Sequence, residues 1–280
     1  MTDRDPSRTA LGTAYIRAVH QLIDGEPRIL EDPVAVPLLG PAALRRINDS
    51  PDRYRTPEAR ALRAHVVLRS RFAEDRLAAA MPRRIGQYVI LGAGFDTFAL
   101  RQPAWAQGLK IVEVDHSATQ GEKRSRIAAA GLAMPGNVDF VDIDFERESL
   151  QEGLARCGLS MSLPTFFSWL GVMMYLKEDA IDAVLRSVAA FPAGSEIVLT
   201  FRQAPEQGAG STSVLAERVA SLGEPFVSFF EPRELETKLR GAGFSEVEFL
   251  SPGEAEERYF RQRPKDLPAP RRTPIASAIV

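Results

Sequence analysis

The chain has 280 residues, enough for one large or two small domains, and its 45% hydrophobic and 26% charged residues are the balance of an ordinary globular protein. With 35 basic and 37 acidic residues the net charge is -2, which offers no global field to nucleic acid or to an anionic membrane. One cysteine, Cys157, excludes an internal disulfide and a multi-cysteine metal site, no apolar signal core opens the chain, and no stretch reaches the roughly 18 apolar residues of a membrane span. A cytoplasmic protein without a metal is expected.

Residues 1–56 are rich in Pro, Arg and Asp, with short helical pieces such as Thr13 to His20 separated by Gly25-Glu26-Pro27 and Asp32-Pro33. They read as an arm or lid ahead of a single unit over 57–280. Tyr15, Arg17 and His20 lie on that first helical piece and are candidates to orient or deprotonate a substrate. From Pro57 to Met81 no glycine or proline interrupts after the start, and Leu62, Val66, Ala73 and Leu77, with Leu68 and Phe72, recur at helical spacing. The arginines Arg63, Arg69 and Arg71 read as solvated charges, although a helix running into the next turn could aim one guanidinium at a bound carboxylate.

That turn organises the chain. Tyr88-Val89-Ile90-Leu91 suits a central parallel strand, and Gly92-Ala93-Gly94 then permits a tight turn with close backbone approach to a ligand, ahead of an expected helix start. A dinucleotide site wants a third glycine and binds pyrophosphate there, whereas this chain has Thr97 in that place and an acid, Asp96, before it. An anion repels pyrophosphate but suits the ammonium and sulfonium of S-adenosylmethionine.

A second strand, 109–115, ends in Asp115, 21 positions beyond Gly94, where an acid can accept ribose hydroxyls. His116 is next to it, Glu113 reads as buried structure, and Ser117 caps a helix over 118–130. The third strand, 138–145, ends in Asp144 and Phe145, which could meet an adenine amino group and cover its ring; a turn or cap role for Asp144 stays open. A helix over 148–157, a strand over 164–171, a helix over 177–190 and a strand over 196–201 continue the alternation. The fourth strand tip carries Tyr175 where the cleft of a doubly wound sheet opens. A loop over 203–213, helices near 213–222 and 232–241, and strands at 245–250 and 274–280 complete the chain, the last two as an antiparallel hairpin closing one edge. The fold class is therefore α/β: a doubly wound, mostly parallel, Rossmann-like sheet.

Several motifs in order give the chain a resemblance to the class I methyltransferases of the leucine carboxyl methyltransferase type, including bacterial relatives of unassigned substrate. They are Asp32-Pro33-Val34-Ala35, Arg69 to Asp75, Leu91 to Thr97, Glu113-Val114-Asp115, Asp142 to Phe145, Gly171 to Leu176 and Arg258-Tyr259-Phe260. The resemblance implies seven strands, six parallel and one antiparallel, with an N-terminal helical lid. It implies Arg69 at the methionine carboxylate, Gly92 and Gly94 along the methionine portion, Asp115 at the ribose, and Asp144 with Phe145 at the adenine. Many relatives have Glu where this chain has Leu170.

The expected activity is S-adenosylmethionine-dependent methylation of oxygen, on a carboxylate or hydroxyl of a small molecule. An NAD-dependent oxidoreductase and a nucleoside-binding protein without catalysis are the competing readings. Ala93, Asp96 and His116 join the expected cofactor contacts, and Tyr175, Tyr15, Arg17 and His20 the expected acceptor side. The sequence leaves the oligomeric state open.

Overall fold

The computed structural model describes residues 5–204, 216–217 and 220–280, so the loop expected over 203–213 and the helix near 213–222 lie largely outside the described residues. Seven strands, β1 (Gln87–Leu91), β2 (Lys110–Asp115), β3 (Val138–Asp142), β4 (Thr165–Trp169), β5 (Glu196–Thr200), β6 (Glu246–Phe249) and β7 (Ile275–Ile279), form one sheet in the order β3-β2-β1-β4-β5-β7-β6. The inner strands β1, β4 and β5 are buried along their whole length, which is why they read as apolar runs. The edge strands β3 and β6 alternate, with Asp139, Asp142, Glu246 and Glu248 as charges that discourage further pairing.

Strand β1 pairs in parallel with both β2 and β4, so the chain turns one way after β1 and the other way at β4. The crevice of such a sheet lies beyond the carboxyl ends of the two strands at that reversal, here at Gly92 and Gly171. Strand β7 is antiparallel to both β5 and β6. The expected antiparallel pair thus closes one edge, with the reversed strand inserted second from the end.

The described α-helices are α1 (Arg8–Ile23), α2 (Ala35–Leu39), α3 (Pro41–Asp49), α4 (Pro57–Ala80), α5 (Ser117–Ala129), α6 (Leu150–Arg156), α7 (Glu178–Ala189), α8 (Pro232–Ala242) and α9 (Pro252–Ala255). Alternate residues along each strand feed two cores. Val89, Leu91, Phe167, Trp169 and Leu199 pack with Leu154, Leu185 and Leu239 on one face, while Tyr88, Ile90, Phe166 and Val198 pack with Val67, Leu68 and Leu77 of α4 on the other. A third cluster, Ala14, Ala18, Val19, Leu38 and Ile47 with Phe95 and Ile127, seats α1–α3 over the turn after β1.

Two expectations are corrected. No α-helix follows Gly92-Ala93-Gly94; only 3-10 turns at Phe98–Leu100 and Ala104–Ala106 link β1 to β2, with Pro103, which has no amide to donate, between them. Arg63 is not solvated: it is 2% exposed, and its Nε and Nη2 each donate to Asp24 at 2.7 Å while Nη1 donates to the Tyr54 carbonyl at 2.8 Å. Among the described residues no helix is long and apolar enough to cross a membrane.

Candidate cofactor and acceptor site

Both glycines of the turn have positive φ, 64° at Gly92 and 52° at Gly94. A Cβ on Gly92 would stand 2.2 Å from Val172 Cγ2, and one on Gly94 3.0 Å from Ala10 Cβ, so the tip of β4 and helix α1 both close on this backbone. Ala93 N donates to the Val114 carbonyl at 2.9 Å, fixing the turn to β2. Asp115 accepts Gly94 N at 2.5 Å and His116 N at 2.7 Å. Burial raises the Asp115 carboxyl against the pull of these two amides, and each oxygen keeps lone pairs for hydroxyl donors.

Asp96 accepts Phe98 N at 2.8 Å and pairs with Arg17 Nη1 at 3.2 Å. Burial alone would raise its pKa, but Arg17, Lys123 and Arg101 hold it below the ordinary value, so it is ionised. It reaches a ligand only through its remaining acceptor positions, because the protein already uses it as a brace. Thr97 explains the missing third glycine: its hydroxyl donates to Asp32 Oδ2 at 2.6 Å and accepts from Arg101 Nε at 3.1 Å, tying the turn to the N-terminal segment.

Farther along the sheet, Asp144 accepts Glu146 N at 3.0 Å and lies 3.4 Å from Arg147, the geometry of a turn residue with its side chain about a third exposed. Phe145 packs beside Trp169, ring centroids 6.4 Å apart. His116, partly buried, is the N-cap of α5 beside Asp115. Glu113 is buried with Lys123 beneath the strand tip, as structure.

On the opposite side Arg69 extends from α4 to the β4 tip, where a Cβ on Gly171 (φ 78°) would meet its Nη1 at 2.6 Å. Among the described residues no acceptor is hydrogen bonded to this guanidinium. Burial and the neighbouring Arg17 lower its pKa to about 10, against Tyr175 and Asp96. Tyr175 bonds to Thr9, stacks at 5.4 Å on Phe226, and is kept protonated chiefly by burial. Tyr15 is partly buried against the apolar cluster of α1–α3.

Two expected acceptor-side residues are elsewhere. Arg17 is 4% exposed and spends its guanidinium on Asp96 and the Phe95 carbonyl, bracing the turn. His20 is fully buried, with Nδ1 2.7 Å from Asp24 Oδ2 and Nε2 facing Leu30 N at 3.4 Å, so it faces the interior of the arm and not the cleft. Sequence reasoning missed Asp32 as the hub that also caps α2 by accepting Ala35 N at 3.0 Å. It also missed Arg202 beside Tyr175, and His65 within reach of Arg69 and Arg202. Asp32-Pro33 was visible as a motif; Arg202, two residues beyond β5, carried no signal.

The donor set fits S-adenosylmethionine: an unpaired guanidinium for a carboxylate, a strand-tip acid for a ribose, and a glycine cradle that any side chain would fill. Residues 10–189 match the leucine carboxyl methyltransferase family. The chain is 30% identical over 294 residues to a Bacillus subtilis (strain 168) protein named "Putative S-adenosyl-L-methionine-dependent methyltransferase YktD", covering 96% of each. It is 31% identical over 198 residues to the like-named SCO7813 of Streptomyces coelicolor, covering 69% of this chain and 68% of that one. In fold it resembles a Thermobifida fusca "putative methyltransferase" (TM-score 0.58, 18% identity, 99% and 95% covered) and a DUF574 family protein of Streptomyces avermitilis (TM-score 0.57, 16% identity, 96% and 95% covered). The oxidoreductase and non-enzyme readings gain no support from these relatives. The chain belongs to the leucine carboxyl methyltransferase family and is an S-adenosylmethionine-dependent methyltransferase.

Proposed function

We propose that this enzyme methylates an oxygen of a small-molecule acceptor, a carboxylate in preference to a hydroxyl. The state of the histidines carries the reading. His65, on the acceptor side, has its pKa lowered to about 3 by burial and by Arg69 and Arg202, His20 is enclosed by the arm, and His116 stands beside Asp115. A carboxylate is already ionised near neutral pH and asks for no base, whereas an alcohol or phenol usually does.

Bound S-adenosylmethionine supplies an electrophilic methyl group on a sulfonium. In this reading Arg69 would hold the methionine carboxylate, and the backbone of Gly92, Ala93 and Gly94 with Asp96 the rest of the methionine portion. Asp115 with His116 beside it would hold the ribose, and Asp144 with Phe145 the adenine. Tyr175 orients the acceptor, and residues 1–56, through Tyr15 and its neighbours, cover the site of the unit over 57–280 and exclude water. Alignment of the reactants supplies most of the acceleration. The balanced net charge supports a free small molecule over nucleic acid as acceptor, and the single cysteine a reducing cytoplasm.

The test is a mass-spectrometric screen for the gain of one methyl group across matched carboxylic acids, phenols and alcohols. Esters formed at a rate that is flat from about pH 6 to 9 are expected. Ethers alone, formed with a rate that climbs through about pH 6 to 7, would overturn the carboxylate preference.

A further inference from the structure

Among the described residues, the acceptor wall holds a second arginine with no acid to answer it. Arg202 follows β5, and its guanidinium carbon lies 4.2 Å from the centroid of the Phe226 ring, whose other neighbour is Tyr175. Its Nε is buried with no hydrogen-bond partner, and among the described residues no carboxylate pairs with it. Burial lowers its pKa, opposed only by Tyr175. Glu224, the acid on the neighbouring segment, is already engaged: it accepts Ser7 Oγ at 3.1 Å and Arg8 N at 2.9 Å and bonds Thr9 as well, clamping the start of α1.

An arginine withdrawn from water without a partner is costly unless something else supplies the charge. Its surroundings make the cost larger. His65, within reach of both Arg69 and Arg202, is held neutral by burial first and by the two guanidinium groups next. The methionine carboxylate of the cofactor answers Arg69 in the reading above and leaves Arg202 alone. Contact with the Phe226 face holds the guanidinium in place, and its fork suits two-pronged recognition of a planar oxyanion.

We propose that Arg202, set on Phe226 beside Tyr175 and His65, is the specificity-determining residue of the acceptor site, and that the acceptor is a small carboxylate whose anionic group it grips. This rests on the methyl-transfer reading for the identity of the site as an acceptor pocket. His65 serves as a neutral hydrogen-bonding neighbour, and Tyr175 donates to the same group.

The experiment uses the full chain labelled with 15N-arginine and saturated with S-adenosylhomocysteine, with the Nε–H resonance of Arg202 identified by its loss in Arg202→Gln. Sodium benzoate is titrated against its neutral counterpart benzamide. A saturable shift of the Arg202 resonance with benzoate and none with benzamide is expected. Calorimetry should show benzoate binding about 10- to 100-fold weaker in Arg202→Gln, with S-adenosylhomocysteine affinity unchanged. An Arg202 resonance unmoved by benzoate, or moved equally by benzamide, overturns the proposal. Failure of S-adenosylhomocysteine to bind wild type counts instead against the methyl-transfer reading, and the Arg202 resonance remains readable without it.

Discussion

On the N-terminal side of the cleft three arginines end in carboxylates: Arg17 at Asp96, Arg63 at Asp24, Arg101 at Glu74. On the β4–β5 side Arg69 and Arg202 end in none among the described residues. The residue types are the same, although Arg17 and Arg63 are buried and Arg69 and Arg202 half-buried, and the difference in pairing is one of purpose. Paired guanidinium groups hold the arm to the turn; the unpaired ones keep their binding capacity for something the chain does not contain. The comparison also separates stability from affinity, because removing a paired arginine strands a buried acid while removing an unpaired one strands nothing.

The largest expected effect is on the paired side. Arg63→Met leaves Asp24 and His20 buried without their cation, and loss of one member of such a pair costs about 3 to 5 kcal/mol. Chemical denaturation should show that loss, and the double variant Arg63→Met with Asp24→Leu should recover part of it. An unchanged midpoint in the single variant would erase the distinction between the two sides.

On the unpaired side, Arg69→Ala should leave the denaturation midpoint nearly unmoved while weakening S-adenosylmethionine binding by about 1.5 to 3 kcal/mol, roughly 10- to 100-fold. Asp115→Ala should weaken binding by a similar factor through the ribose. Calorimetry with S-adenosylhomocysteine checks both, and undiminished affinity in either variant removes that residue from the site.

The smallest effect concerns pH. His65 titrates at about 3 in the folded protein, below the ordinary histidine value near 6.5. Its contribution to stability is therefore fully present above about pH 6.5 and is lost as pH falls toward 3. Between about pH 6 and 5 the unfolding free energy of wild type should drop by about 1 kcal/mol more than that of His65→Gln. Parallel curves for the two proteins would show that burial and the two arginines do not hold His65 neutral.

The sheet was legible because its strands are short apolar runs bounded by glycine, proline and acids, and alternation of strand with helix admits few topologies. Strand tips were legible for the same reason, which is how Asp115 and Asp144 could be located. What sequence could not give was partnership. Nothing in Arg63, Arg69 and Arg71, on one helix, says that the first is buried on Asp24, the second unpaired at Gly171, and the third paired on the surface with Asp75 at 2.8 Å. His20 and His65 were likewise indistinguishable until the carboxylate of Asp24 and the two guanidinium groups were placed beside them. Arg71 and His20 meet acids only four positions away, whereas Arg63 meets Asp24 across 39 positions, and that longer reach is set by the fold.

The reversed strand β7 also sets a timetable. It is the last strand to be synthesised, yet it supplies the hydrogen bonds of both β5 and β6, which have no contact with each other in the sheet. While the ribosome still holds residues 275–279, the apolar β5 presents an open edge and β6 has nothing to dock on. The cleft-bearing half of the sheet, β3-β2-β1-β4-β5, can form from earlier sequence, so the cofactor turn can assemble before the protein is safe from edge-to-edge association. Nascent chains of this enzyme pass through a stage in which the binding half is built and the sheet is unsealed, and the final five-residue strand ends that exposure by pairing on both its sides at once.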